Sequence, residues 1–408
     1  MKVLYISYDG MTDPLGQAQV IPYLQGLSEQ FGHAFVLLSF EKEANYALHK
    51  DKISELLKPY NIIWQPQMYT KRPPVLSTLR DIYVMQKAAI TLCKKHKIEL
   101  LHCRSYISAL VGAMLQKSLK VKFVFDMRGF WADERVDGKI WNLSNPIFNT
   151  IYKYFKKKEL QFFQEADYII SLTHHGKNEI LSWPEIEAST TKIQVIPCCV
   201  NTSLFSQKNI HQSLQDDFKN QLAITDDDLV ITYIGSLGTW YMLDEMLDFF
   251  KVFKTYHANA KFLFITPDLP DTILAAVQLK GLNPLDFPII KGERAFIPTL
   301  LSLCVASVFF IKPAYSKKAS SPTKQGELMS MGIPVICNAN VGDTDYVVNT
   351  YQSGVVIDDF TEAAYAKVAM HFNDLLQLDK ARIEAGAEDF YALNKGVALY
   401  NEVYQNCV

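Results

Sequence analysis

Ser320-Ser321-Pro322-Thr323-Lys324-Gln325-Gly326-Glu327-Leu328-Met329-Ser330-Met331-Gly332-Ile333-Pro334-Val335 packs a loop, a short helix and the start of a buried strand into one stretch. Ser321 is expected to cap the helix and Pro322 to open it, because the first helical position needs no N–H donor. The helix should stop at Gly332, with the strand resuming over 334–336. Unpaired N–H groups at such a start attract anions. Thr323 and Lys324 fall in the first turn, and Glu327 follows on the same face. An ammonium, free amides and a carboxylate one turn away suit a ligand bearing both phosphates and hydroxyls, as a nucleotide sugar does. A Lys and a Glu three apart are more commonly a solvated surface pair, so the flanking sequence has to decide.

Upstream and downstream, short apolar runs alternate with helical periodicity. Strands are expected at 3–7, 35–39, 62–64, 100–103, 122–126 and 168–172, then at 229–233, 261–265, 287–290, 305–311, 334–337 and 355–357. Segments 17–30 and 79–96 carry apolar residues at helical spacing. Continuous apolar strands separated by helices indicate parallel sheets covered on both faces. Two consecutive sets indicate an α/β chain of two doubly wound, Rossmann-like domains, with ligands beyond the carboxyl ends of the strands. The domains are expected at 1–200 and 201–385, joined through 196–201. The stretch 386–408 is read as a C-terminal helix returning to the first domain.

A length of 408 residues fits two cores, and a 49% hydrophobic fraction fits a folded protein. Eighteen consecutive apolar residues never occur, the opening residues read as a strand rather than a signal peptide, and seven scattered cysteines lack framework spacing. These features point to a cytoplasmic chain with reduced thiols. The histidines make no metal-ligand pattern, His174-His175 included. A net charge of −2 argues against a dedicated nucleic-acid binder. The charge is uneven, however: residues 1–200 hold 25 Lys/Arg against 19 Asp/Glu, whereas the rest holds 16 against 24.

Four loops follow strands. Asp9-Gly10-Met11-Thr12-Asp13-Pro14-Leu15-Gly16-Gln17 enters a helix at Gly16, where a diphosphate could approach the backbone. Gly235-Ser236-Leu237-Gly238-Thr239 leaves the first strand of the second half; it lacks the full G-x-G-x-x-G fingerprint, which disfavours a nicotinamide enzyme. Lys291-Gly292-Glu293-Arg294-Ala295-Phe296 is placed to hold a base edge, and the helix start at Thr323 is the fourth. Arg128, in Asp126-Met127-Arg128-Gly129, is read either as an ion-pair partner of Asp126 or Asp133, or as a fork for a phosphate or carboxylate. Arg104 is a weaker candidate, and His102 is read as structural.

Taken in order, Gly16, Ala166-Asp167-Tyr168-Ile169-Ile170-Ser171-Leu172, Ile193-Gln194-Val195-Ile196-Pro197 through Val200-Asn201 to Phe205, Gly235-Ser236-Leu237, and Pro322-Thr323-Lys324 through Glu327 to Gly332-Ile333-Pro334-Val335 give the chain a likeness. It resembles the retaining GT-B-fold glycosyltransferases of family 4, of the bacterial glycan and cell-envelope type, over nearly its whole length. The resemblance implies two Rossmann-like domains facing an interdomain cleft, and a nucleoside-diphosphate sugar as substrate with UDP favoured. It implies a hexosyl or related transfer with retention, and neither cofactor nor metal.

On this likeness Glu327 binds the ribose. Lys324, Thr323, Gly16 and the Gly235–Gly238 loop meet the diphosphate, Arg294, Ala295 and Phe296 flank the base, and Lys324 and Arg128 are the catalytic candidates. The chain departs from the pattern at Ala319, where many relatives carry a second glutamate, at Trp240-Tyr241-Met242 in place of a basic pair, and at Arg128 in place of a strand-end histidine. Asp343-Thr344-Asp345 matches the metal-binding D-x-D of the other glycosyltransferase fold, but it is read as a coincidental loop pair.

The implied acceptor is a glycan or a lipid-linked sugar. Tyr152-Lys153-Tyr154-Phe155-Lys156-Lys157-Lys158 and Phe162-Phe163 suggest peripheral contact with the inner membrane surface through 152–163. The competing classes are a nucleotide-sugar epimerase, for which the sequence supplies no convincing set of catalytic carboxylates and histidine, and a non-catalytic nucleotide-sugar-binding protein.

Overall fold

A computed structural model describes residues 1–407. It divides into two compact units: Met1–Cys198 with Tyr315–Ser320 and the chain from Leu393, and Cys199–Ala314 with Ser321–Ala392.

The first unit is built on seven strands: β1 (Lys2–Ser7), β2 (Ala34–Glu41), β3 (Ile62–Met68), β4 (Leu100–Arg104), β5 (Lys122–Asp126), β6 (Tyr168–Ser171) and β7 (Ile193–Val195). They pair in the order β3-β2-β1-β4-β5-β6-β7, all parallel. Past its first residue β1 is wholly buried, with Val3 set between Phe35 and Leu100. Both faces are therefore covered, and the alternation of a half-exposed strand is missing. Pro66 is tolerated in β3 because that strand is an edge.

The second unit carries β8 (Leu229–Ile234), β9 (Ala260–Ile265), β10 (Ile289–Ile290), β11 (Ala306–Phe309), β12 (Val335–Asn338) and β13 (Gly354–Ile357), in the order β10-β9-β8-β11-β12-β13 and again all parallel. In each sheet the order reverses beside the first strand, between β1 and β4 and between β8 and β11. Each unit thus has its own switch-point crevice beyond the strand ends.

Several local expectations need correction. Segment 17–30 is two helices, Pro14–Gln19 and Ile21–Phe31, broken at Val20 (φ −126°), because Pro22 has no N–H to donate to the Ala18 carbonyl as an unbroken helix would require. Residues 193–195, outside the expected strands, form the edge strand β7. The helix after Ser320 begins at Thr323 with Pro322 as its cap residue and no side-chain cap. Gly332 does terminate it, with a left-handed φ of 65°. The C-terminal element belongs to the first unit from Leu393, not from 386. The helix before it, Lys380–Phe390, stays with the second unit, as does Tyr391: its O accepts from the Val200 N–H and its ring lies against Gly326. The last helix, Leu393–Gln405, buries Val397, Tyr400 and Tyr404, and Gly26 leaves the space that Val397 fills.

Candidate functional site

Lys324 lies in the first turn of the helix Thr323–Ser330, in the second unit, and its side chain is buried. Its Nζ stands 3.8 Å from the ring centre of Tyr233, at the end of β8, and 3.5 Å from that of Tyr241. The ammonium has three donors, none of which finds a hydrogen-bond acceptor among the described residues. Burial pushes its pKa well below the ordinary lysine value, and the charges of Glu327 and Asp268 offset this only in part. A Cβ on Gly235 would sit 3.5 Å from Nζ, so the cation lies directly under the first glycine of the loop after β8. That glycine has φ 100°, a conformation that L side chains rarely adopt.

Glu327, one turn on, faces the same way. Its carboxylate is ion-paired at 3.2 Å with Arg294, whose guanidinium also covers the ring of Phe205. Burial raises the Glu327 pKa, with Arg294 and then Lys324 pulling against it. The structure thus brings Lys324, Gly235, Glu327 and Arg294 together from three separate strand-end segments. Thr323 is half-buried beside Lys324, and Ala295 is exposed. Phe296 packs on His211 rather than standing free.

The loop after β8 is more occupied than its sequence implies. Gly235 N–H donates to Ile265 O (2.9 Å), and Leu237 N–H donates to the carboxylate of Asp268 (2.6 Å), which also accepts from the Ser236 hydroxyl (3.0 Å). These two amides are therefore spent inside the protein, leaving those of Ser236 and Gly238 as the loop's candidates for phosphate. Sequence reasoning missed Asp268; the signal available was an acidic residue just past a strand end, opposite a glycine loop.

The first unit uses the same device. Glu41, fully buried at the end of β2, accepts from the N–H of Met11 (2.8 Å), the N–H and hydroxyl of Thr12 (3.0 and 2.6 Å) and the hydroxyl of Ser39 (2.5 Å). In both units a carboxylate from the strand beside the first one holds the loop that follows the first strand. Glu41 was also missed, although a carboxylate closing the apolar run 35–40 is an audible signal. At Gly16 a Cβ would meet Gly10 O at 2.3 Å and Met11 Cα at 2.7 Å. Its missing side chain lets the helix close on its own loop.

Arg128 (φ 59°) follows β5 and is largely buried. Its guanidinium donates to Cys198 Sγ (3.2 Å) and lies 3.8 Å from Asp126, so the ion-pair reading describes its contacts within the chain. Asp126 also accepts from the Tyr400 hydroxyl (3.1 Å) and faces His102 (3.4 Å), whose other nitrogen meets the Tyr404 hydroxyl at 2.6 Å. Burial lowers the His102 pKa. For Asp126, burial acts upward, but Arg128, His102 and Arg104 bring the carboxyl below its ordinary range. Arg104 is buried beside Asp9, with Nε 3.5 Å from the carboxylate.

Residues 23–204 match the family model described as Glycosyltransferase Family 4. A glycosyltransferase from Rickettsia africae superposes with a TM-score of 0.72 at 14% identity, over 100% of this chain and 98% of that one. The Anabaena protein HepE, solved with UDP and glucose, superposes at 0.68 and 12% identity, over 99% of each chain. The chain has the GT-B fold. That fold is shared beyond transferases: the UDP-GlcNAc 2-epimerase of Neisseria meningitidis superposes at 0.59 with 13% identity, over 99% of this chain and 100% of that one. No curated protein matches the chain by sequence.

The departures noted in the sequence have structural counterparts within this GT-B chain. Ala319 is completely buried in the first unit's apolar core, and a Cβ on Gly176 would come within 2.9 Å of its methyl group, so the position has no room for a carboxylate. Where a basic pair was expected, Trp240-Tyr241-Met242 is pinned along the end of β11 by Met242 N–H to Phe310 O and Lys312 N–H to Trp240 O, both 2.9 Å, which places the Tyr241 ring over Lys324. Asp343 precedes the helix Thr344–Tyr351, and Asp345 accepts from the Tyr346 N–H.

The stretch 152–163, expected to face a membrane, is only partly at the surface, with Lys153, Tyr154 and Lys157 exposed. The helix Pro146–Glu165 turns Phe155, Phe162 and Phe163 into the core, ties Tyr152 to Asp133, and ties Lys156 to Asp133 and Glu159. Among the described residues no helix is long and apolar enough to cross a membrane.

Proposed function

We propose that the protein is a retaining glycosyltransferase that moves a sugar from a nucleoside-diphosphate donor, UDP favoured, to a glycan or lipid-linked acceptor on the cytoplasmic side of a cell envelope. The observation carrying this reading is the Lys324 ammonium, buried on two tyrosine rings under Gly235 with no hydrogen-bond acceptor, one turn from the Glu327 carboxylate. A buried cation left without an acceptor is costly, and a dianionic diphosphate at the Gly235 loop offsets that cost. Glu327 then accepts from the ribose hydroxyls, with Arg294 moving aside or bridging.

In the reaction proposed, the bond between the anomeric carbon and the diphosphate oxygen breaks while a bond to the acceptor oxygen forms on the same face of the sugar. The acceptor proton passes to the departing diphosphate. Lys324 stabilises the charge that builds on that leaving group, a contribution typically worth about 3–4 kcal/mol for one such donor. Arg128 is kept as the first unit's candidate for contact with substrate. No metal ion is assigned a role.

The epimerase reading rests on the shared fold. The two are separated by incubating the protein with a panel of nucleotide sugars and glycan acceptors. Release of nucleoside diphosphate with a new glycosidic product supports the transferase; an isomerised donor without an acceptor supports the epimerase. Unchanged turnover in Lys324→Ala and Glu327→Ala would show that the site is wrongly placed.

A further inference from the structure

The helix Leu76–His96 in the first unit packs Ser77, Asp81, Met85, Ala89, Leu92 and Cys93 inward. Its outer face is unusual. Leu76, Leu79 and Tyr83 are 63%, 57% and 55% exposed, and Val75 stands exposed just before them. Between Lys71 and Lys97 the chain has seven Lys/Arg residues, all exposed, and a single acidic residue, Asp81. Asp81 is buried and engaged by the Tyr8 hydroxyl (2.9 Å) and the Thr70 N–H (3.0 Å), so it does not neutralise the outer face. At about 100° per residue, Leu76, Leu79, Arg80, Tyr83, Lys87 and Lys94 fall within an arc of about 100°. Leu76 and Tyr83 form one row at a spacing of seven residues; Arg80, Lys87 and Lys94 form the row beside it. Lys87 Nζ lies 4.4 Å from the Tyr83 ring centre, keeping both side chains on this face.

We infer that this face docks the protein on an anionic lipid surface. The partner is identified by two matched features. The basic row faces outward, and among the described residues no carboxylate pairs with Arg80, Lys87 or Lys94, which fits a sheet of negative headgroups. The exposed leucines and tyrosine sit together at one end of the same stripe, at the depth where an interfacial helix inserts its apolar side chains. A soluble polyanion satisfies the first feature and leaves the second without a role; an apolar protein partner does the reverse. The helix lies along the surface, with its inner side fixed to the sheet. This surface is distinct from the one expected at 152–163, and it does not depend on which reaction the protein performs.

The test is flotation of the full chain with phosphatidylcholine vesicles, with and without phosphatidylglycerol, at low and high salt. Wild type should float only with the anionic vesicles and be released by salt. Arg80→Glu with Lys87→Glu should weaken partitioning by about fivefold or more per charge, and Leu76→Ser with Leu79→Ser by about tenfold or more for the pair. Lys153→Glu with Lys157→Glu, on the other basic helix, should float like wild type. All these positions are exposed, so an unchanged melting temperature verifies folding. The inference is overturned if wild type fails to bind anionic vesicles, or if the 80/87 variants bind as well as it does. It is equally overturned if the 76/79 variants lose only self-association, or only binding to a soluble polyanion such as heparin.

Discussion

Replacing Lys324 by Met tests the proposed site most directly, because it keeps the length of the side chain and removes the charge. In the free protein the ammonium is buried, makes no hydrogen bond and has a pKa held well down by desolvation. Removing it relieves a penalty of several kcal/mol per buried ion. Against that stand two lost cation–π contacts, each about 2 kcal/mol at a desolvated site. A methionine sulfur on the same rings returns about 0.3–1.5 kcal/mol per contact. The balance is a gain of about 1–2 kcal/mol in the free protein. Donor binding should move the other way: a hydrogen bond to a charged group is worth about 1.5–3 kcal/mol, so UDP should bind about 10- to 150-fold more weakly.

The sign in pH follows from the same shift. The folded Lys324 pKa lies below that of the unfolded chain, so between the two values the unfolded state holds more protons and stability rises with pH. In Lys324→Met that rise should be absent. Chemical denaturation across the alkaline range, together with titration calorimetry in buffers of different ionisation enthalpy, reads all three quantities. Wild type should take up protons on binding UDP increasingly as pH rises, and the variant should not. A variant that is less stable than wild type and binds UDP equally well would refute the argument.

Other substitutions probe the parts that hold the site. Glu41→Gln leaves the buried loop amides of Met11 and Thr12 facing a side chain that cannot accept all four bonds, and should cost about 3–5 kcal/mol in denaturant unfolding. Asp268→Ala frees the Leu237 N–H and the Ser236 hydroxyl, and should weaken UDP binding about tenfold by calorimetry while costing about 1–3 kcal/mol of stability. Gly16→Ala drives a methyl group to 2.3 Å from Gly10 O and should cost about 1–3 kcal/mol, seen as a lower melting temperature. Glu327→Gln should remove a loss of stability that wild type suffers as pH climbs from the ordinary glutamate range through the raised Glu327 pKa, because the folded state holds that proton longer than the unfolded chain.

Much of the fold was legible because fully buried parallel strands leave continuous apolar runs, such as Val3–Ile6 and the run closing with Ile265, that a single period of reading detects. The failures lie where local pattern and tertiary demand part. Ile193–Val195 is too short to be told from a linker until β6 pairs with it. The lysine-aromatic pattern of 152–163 does not say which side chains a partner covers; Trp131 and Trp183 take Phe155 and Phe163, while Lys153, Tyr154 and Lys157 stay exposed. The helix Leu76–His96 was expected, but its outward apolar row was not, because periodicity reveals that a face exists and not whether something covers it.

Composition and pattern by themselves determined two doubly wound α/β sheets and the strand-end loops that serve as candidate sites, and they singled out Lys324 with Glu327 as the candidate pair. These follow from local rules: burial on both faces, glycine where backbone must turn, a helix start that leaves amides open. The tertiary structure alone decided that Lys324 is a caged cation and not a surface ammonium, that Glu41 and Asp268 hold the two glycine loops, and that Gly16 serves its own loop. Each of those depends on which atoms approach from strands distant in the chain. Desolvation and hydrogen-bond satisfaction are properties of that surrounding shell, not of the residue that experiences them.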